Sequence, residues 1–229
     1  MSGFVVTGTG TGVGKTYFTA LALRALREAG VDAVGLKPVC CGGREDAVAL
    51  WEASGRVEEI EMLNPVWLRA PVAPLVAAEL DGVKMDTAEW GAHARRLADR
   101  HDLVLLEGVG GWEVPLAEGE VFGDFAATLG WPVIVVVGNQ LGALNHTLLT
   151  VKAIAARGLH LAGLVLNHLE EERDVAMVSN RAVLADWVRA DWQIELMPGQ
   201  DWLEGEVVEG MRKSEPGTRN PEPGGIDDF

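Results

Sequence analysis

Residues Phe4–Thr16 read FVVTGTGTGVGKT: an apolar run, a glycine-rich turn, then a Lys-Thr pair at the head of a longer amphipathic stretch. Phe4–Thr7 has the composition of a buried strand, and Lys15–Ala29 carries Phe18, Ala22, Ala25 and Leu26 on one helical face before Gly30, a suitable left-handed stop. Between them, Gly8–Thr16 spells Gly-x-x-x-x-x-Gly-Lys-Thr. Small residues there leave backbone N–H groups free to face a phosphate, and the helix N-terminus behind them favours an anion. Gly8, Gly12, Val13 and Gly14 are the cradle candidates. Lys15 is placed to reach the β- and γ-phosphates, and the Thr16 hydroxyl to ligate Mg2+. The spacing is unusual. Five residues rather than the usual four separate Gly8 from Gly14, and Thr9 stands where the strict pattern wants glycine. The bland alternative is a glycine-rich turn followed by a chance Lys-Thr.

Similar apolar runs recur at Ala33–Lys37, Leu103–Glu107, Val133–Gly138, Leu161–Asn167 and Ile194–Met197. They are continuous rather than alternating, as in strands buried on both faces. Helical patterns separate them at Asp46–Ala53, Thr87–Arg100, Phe122–Leu129, Leu144–Ala156 and Asp174–Arg189. The alternation predicts an α/β fold: a doubly wound, mainly parallel sheet with helices on both faces, of the P-loop type. Met62–Glu79, with Pro65, Pro71 and Pro74, reads as a loop-rich connection with a short helix near its end. From Lys213 the chain turns polar and rich in Pro and Gly. The expected organisation is one domain over 1–212 and a disordered tail over 213–229.

The bulk composition narrows the class. A chain of 229 residues with a 48% hydrophobic fraction supports one substantial core. Its net charge of −15, from 19 basic and 34 acidic side chains, repels phosphate backbones, so no nucleic-acid partner is expected. There is no apolar run of roughly 18 residues and no basic or cleavable segment at the start, so no membrane role is expected and the cytoplasm is the default. Cys40 and Cys41 are adjacent and form no disulfide framework. Ligands or a His-Asp relay for them are not evident, and His93, His101, His146, His160 and His168 are scattered. Trp51, Trp187 and Trp192 read as core or interface, whereas Trp112 is placed to line a site.

In open α/β sheets, ligands bind beyond the carboxyl ends of the strands. Those ends carry the glycine loop, Lys37-Pro38, Glu107 followed by Gly108, Gly110 and Gly111, Gly138-Asn139, Asn167, and Pro198-Gly199. Glu107 stands where a Walker-B-type Mg2+ contact is expected, although a solvated acid is the bland reading. Asp102 lies at the wrong end of its strand. Lys37 is suited to neutralise a transferring phosphoryl group or a substrate carboxylate, against the alternative of a snorkelling surface lysine. Asp46 reads by spacing as a helix N-cap, with Mg2+ ligation the second choice.

Seven blocks together resemble the dethiobiotin synthetase family: VTGTGTGVGKT, GLKPVCCG, EDAVAL, LNPVWLRAPVAPL, LVLLEGVGGWEVPL, PVIVVVGNQLGALNHTLLT and LAGLVLNH. The resemblance runs from the first strand to about Leu203, and the five-residue glycine spacing is a habit of that family. It implies an ATP- and Mg2+-dependent cyclo-ligase of biotin biosynthesis. The substrates would be 7,8-diaminononanoate and CO2, joined through a carbamate and a carbamic–phosphoric anhydride, and the enzyme would be a homodimer. Carried over by position, Lys37, Lys15 and Thr11 become catalytic, while Thr16, Asp46 and Glu107 become metal ligands. Asn167, Pro198 and Gly199 fall on the adenine side. Cys41, Gly110, Leu141, Ala143 and Asn145 fall on the substrate, the last three reaching it from the other subunit. The resemblance thus replaces the cap reading of Asp46. Gly10 and Gly12 stand where the family usually has acids, and Cys41 where it usually has serine. The competing readings are a paralogue that carboxylates or cyclises another amine, a partition-type switch ATPase, and the synthetase half of a cobyrinate-type amidotransferase. The second lacks its usual extra lysine at Gly10, and the third lacks room for a glutaminase domain.

Overall fold

In the computed structural model, residues 3–172 and 174–213 are described. The chain begins with β1 (Gly3–Gly8), α1 (Lys15–Glu28), β2 (Ala33–Leu36), β3 (Val39–Cys41), α2 (Glu45–Ala53), α3 (Ile60–Leu63), β4 (Val66–Leu68), α4 (Pro74–Asp81) and α5 (Thr87–Arg100). It continues with β5 (Leu103–Glu107), β6 (Pro115–Ala117), β7 (Glu120–Val121), α6 (Phe122–Leu129), β8 (Val133–Gly138), α7 (Ala143–Ala156), β9 (Leu161–Asn167), α8 (Val175–Trp187), β10 (Trp192–Leu196) and α9 (Gly205–Lys213). The main sheet has the order β10-β9-β8-β1-β5-β2, with all its pairs parallel. All six strands expected from the apolar runs are in it. This is the doubly wound α/β fold.

The runs are continuous because both faces of the sheet are covered. Val5, Val34, Leu106 and Val135 face a core completed by α5 and α6 through Trp90, Leu97 and Phe125. Phe4, Val6, Leu105, Ile134 and Val136 face the opposite core, filled by Phe18, Leu21 and Leu26 of α1. β1 sits between β5 and β8, so the chain crosses from one side of β1 to the other after β5. The glycine loop stands above this central strand. Gly14 takes a left-handed φ of 93° at the N-cap of α1, with no side-chain cap, which leaves the loop's N–H groups for a ligand. Gly30, at φ 81°, ends the helix as expected.

Several features were not anticipated. β3 and β4 pair in a small parallel sheet of their own beside β2. α3 and α9 are both extra helices, and α9 buries Val207 and Met211 against the α1 face. α4 is the short helix expected near the end of the proline-rich connection. The expected tail begins at Lys213, the last residue of α9, and otherwise lies outside the described residues.

β10 starts at Trp192, two residues before the expected Ile194, for a steric reason. Trp192 is the register partner of Gly163 on β9 and packs against Phe18 at a centroid distance of 6.2 Å. A Cβ on Gly163 would fall 2.2 Å from the indole. Gly163→Ala is therefore expected to overpack this edge by about 1–3 kcal/mol. Thermal unfolding followed by circular dichroism should show Tm lower by about 2–4 °C per kcal/mol. An unchanged Tm would mean that the indole relocates freely.

Candidate active site

The site is built on the carboxyl ends of β1, β2 and β5. Register places Val6 beside Glu107 and Leu36 beside Leu106, so the glycine loop, Glu107 and Lys37 emerge together. Lys37 is buried, and its Nζ donates to Glu107 Oε1 at 2.6 Å, to Asp46 Oδ2 at 3.0 Å and to the Gly108 carbonyl at 3.1 Å. Burial alone would push this lysine's pKa down, but Glu107 and Asp46 more than offset it, so the pKa is raised and the ammonium stays charged. The snorkelling reading of Lys37 fails, since the side chain is 3% exposed.

Asp46 is the second residue of α2, whose N-cap is Arg44, so the capping reading fails too. Its carboxylate faces Lys37 instead. Burial opposes its ionised form, but the charge and hydrogen bond of Lys37 hold its pKa below the usual range. The Thr16 hydroxyl donates its one proton to Glu107 Oε1 at 2.8 Å. Glu107 Oε2 is buried and accepts no hydrogen bond within the protein. A hydroxyl and two carboxylates, one of them with an orphaned buried oxygen, are hard donors, and Mg2+ commonly takes one or two protein carboxylates together with phosphate and water. The residues fit that ion. Among the described residues no cluster of three or more His, Cys, Asp or Glu offers a fuller metal cage.

Lys15 Nζ donates to the carbonyls of Gly10 at 2.8 Å and Gly110 at 2.6 Å, bridging the glycine loop to the loop after β5. Burial, then the neighbouring Lys37 charge, lower its pKa to about 8. An anion bound beside it would favour the charged form. Beside these lysines opens a cleft of about 750 Å³. Its walls include Thr11, Gly12, Gly14, Lys15, Thr16, Lys37, Cys41, Asp46 and Gly110, all singled out from the sequence. Burial raises the Cys41 thiol to about 11, so it faces the cleft as a neutral thiol.

Other expected residues turn no side chain into the cleft. Gly8 has no room for one, because a Cβ there would strike Val13 at 2.6 Å, and Val13 packs its side chain into the core, which leaves both only their backbone to offer a phosphate. Asn167 is buried and donates through Nδ2 to the Val13 carbonyl at 3.0 Å, bracing the glycine loop from beneath. Pro198 and Gly199 form the turn after β10. Leu141, Ala143 and Asn145 do not line the cleft of their own chain; Leu141 is 82% exposed, whereas Ala143 is buried. Trp112 does not line the site. It is buried edge-on against Phe122, with centroids 5.9 Å apart, beneath the glycine turn.

Two positioning residues escaped the sequence reading. Asn64 is buried, and its Nδ2 donates to the Lys37 carbonyl at 2.8 Å; Arg44 Nε donates to Asn64 Oδ1 at 2.9 Å. The Lys37 N–H donates to the Leu63 carbonyl at 2.7 Å. The α3–β4 connection thus fixes the backbone of Lys37 from outside the sheet. A lone asparagine in a proline-rich stretch carries no periodic signal of such a role.

The chain is similar to known proteins along most of its length. The AAA domain family matches residues 2–186. The ATP-dependent dethiobiotin synthetase BioD of Akkermansia muciniphila is 46% identical over 208 residues, covering 91% of this chain and 98% of that one. Its namesake from Anaeromyxobacter dehalogenans (strain 2CP-1) is 48% identical over 189 residues, covering 81% and 85% of the two chains. The Xanthomonas euvesicatoria protein of the same name is 40% identical over 212 residues, covering 86% and 92%. Among solved structures, the septum site-determining protein MinD of Pyrococcus horikoshii with Mg-ADP aligns at a TM-score of 0.56 and 17% identity, covering 94% of this chain and 86% of that one. A plasmid partition protein from Borrelia burgdorferi aligns at 0.57 and 12% identity, covering 92% and 96%. At such identities these two establish the fold alone. The sequence relatives, which share most of their length with this chain, establish more: it belongs to the ATP-dependent dethiobiotin synthetase family.

Proposed function

We propose that the cleft closes the ureido ring of dethiobiotin from 7,8-diaminononanoate and CO2 at the expense of ATP. One amine adds to CO2 and loses a proton, giving a carbamate. A carbamate oxygen displaces ADP from the γ-phosphorus, giving a carbamic–phosphoric anhydride. The second amine then attacks the carbonyl carbon; the C–O bond breaks, phosphate leaves, and the ring closes with loss of that amine's remaining surplus proton. The observation that carries this reading is the convergence of two buried lysines on one cleft with the phosphate loop.

The residues suit these steps. Lys15, released from the Gly10 and Gly110 carbonyls, would meet the β- and γ-phosphates and the carbamate. Lys37, held by Glu107 and Asp46, offers a fixed positive charge to the oxygens of the transferring group. Thr11 and Gly12 line the same wall and would position the triphosphate. Asn167 supports the adenine end, and Pro198 and Gly199 flank it. Cys41 and Gly110 line the same cleft and would face the diamine. The Thr16 hydroxyl and the carboxylates of Asp46 and Glu107 would hold Mg2+, which neutralises phosphate charge when bound. That charge is needed, because two ammonium groups facing two carboxylates leave the bare site formally neutral.

The turn holding Leu141, Ala143 and Asn145 is proposed to serve the cleft of a second copy in a homodimer. Leu141 is 82% exposed and Leu149, on the following helix, 59% exposed, an apolar surface that a partner would cover. Leu149→Arg is expected to produce a monomer by sedimentation, with KM for the diamine raised at least about ten-fold, since a central apolar contact often costs over 1 kcal/mol. An intact dimer would contradict the interface.

Phosphate release in the presence of ATP and Mg2+ is expected to require both diaminononanoate and bicarbonate. Lys15→Gln should cripple it. Lys37→Gln should keep nucleotide affinity while turnover falls about a hundred-fold or more, the scale of losing one preorganised electrostatic contact. Amine-independent release, or normal turnover in the second variant, would refute these roles.

A further inference from the structure

Tyr17 lines the cleft, and the reaction above gives it no task. It follows Thr16 in the first turn of α1. Its ring packs against the core beneath that helix. Its hydroxyl donates to the Gln200 carbonyl and lies 3.5 Å from the Met197 carbonyl. Both acceptors belong to the turn after β10.

That turn is braced internally. The Gln200 side chain accepts from the Met197 N–H at 3.1 Å and donates to the Trp202 carbonyl at 2.9 Å. The Gln200 N–H closes on the Met197 carbonyl at 3.2 Å, and Gly199 supplies the left-handed φ of 71°. A unit so closed moves as one body. Tyr17 ties that body directly to the helix that carries Lys15 and Thr16.

The order of the sheet says which part of a nucleotide lies there. Lys37, Asp46 and Glu107 stand on the β2–β5 side of β1, so the γ-phosphate must point that way. The nucleoside therefore leaves the phosphate loop towards β8, β9 and β10, where the Met197–Gln200 turn follows the last strand. We infer that Tyr17 is a positioning residue for the nucleobase, its hydroxyl setting the distance between the phosphate cradle and the base-side turn. This rests on the ATP-binding reading of the cleft. The base is held by a surface whose placement depends on one phenol, while the triphosphate is held by the glycine loop itself.

Tyr17→Phe keeps the ring and its packing and removes the tie. The test compares ATP with inorganic tripolyphosphate, which has the phosphates but no base, by titration calorimetry and as substrate and inhibitor in turnover. ATP affinity is expected to fall about three- to ten-fold, the net worth of one hydrogen bond, with tripolyphosphate unchanged within about two-fold. The loss should fall on KM for ATP rather than on kcat. Unchanged ATP affinity would overturn the inference. So would an equal loss for both probes, or a lowered Tm with losses in kcat and in KM for the diamine, since those mark a structural role. A wild-type protein that binds tripolyphosphate but shows no gain from the nucleoside would overturn it as well, and one that binds neither probe would remove the ATP reading beneath it.

Discussion

The 2.6 Å contact between Lys37 and Glu107 joins two neighbouring strands at the point where both end, and the rest of the site is arranged around it. Both groups are buried, at 3% and 0% side-chain exposure. A charge alone at such depth would cost several kcal/mol, so each depends on the other being present. Asp46 supplies a second carboxylate from α2, and the Gly108 carbonyl a further acceptor. Through the Thr16 hydroxyl, Glu107 also reaches the phosphate loop. One ion pair thus couples β2, β5, α1 and α2. The α3–β4 connection, through Leu63 and Asn64, keeps the Lys37 backbone where the pair requires it.

The charge balance explains how a strongly acidic chain handles a triphosphate. Attraction by the bulk surface is not available at a net charge of −15. Binding must instead come from local groups: oriented N–H dipoles of the glycine loop, Lys15, and a divalent ion on the oxygen ligands. Positioning and charge neutralisation are also most of what phosphoryl transfer asks of a protein. An activated side-chain nucleophile is not required. The Cys41 thiol, raised to about 11 by burial, is poorly suited to be one.

Much of this was legible in the sequence because continuous apolar runs report strands buried on both faces, and because polar residues just after them report the ligand edge. Lys15, Thr16, Lys37 and Glu107 were found that way. The misses have local causes. Asp46 follows a glycine turn and opens a helical pattern, which in sequence is also how a cap looks; the start of α2 at Glu45 and the contact with Lys37 separate the two. Trp112 follows a site loop in sequence, yet its indole turns inward to Phe122. Asn167 ends a strand at the ligand edge, and no spacing foretells that its Nδ2 also donates to the Val13 carbonyl. The β3–β4 pair has three residues per strand, too short for a pattern. In α9 the burial of Val207 and Met211, rather than local propensity, holds a segment with two glycines. The family resemblance supplied what spacing did not, notably the metal role proposed for Asp46 and the interface role proposed for the turn at Leu141.

In the proposed reaction this cleft passes the γ-phosphoryl group of ATP to a carbamate. The fate of one oxygen atom tests it most directly. If the anhydride forms, the carbamate oxygen that attacks phosphorus stays with the phosphate when the ring closes. Single turnover of oxygen-18-labelled CO2 with diaminononanoate and unlabelled ATP, quenched before exchange with water, should therefore give inorganic phosphate carrying one heavy oxygen, seen as an isotope shift in its phosphorus NMR signal. Phosphate free of the label, formed alongside dethiobiotin, would contradict the account.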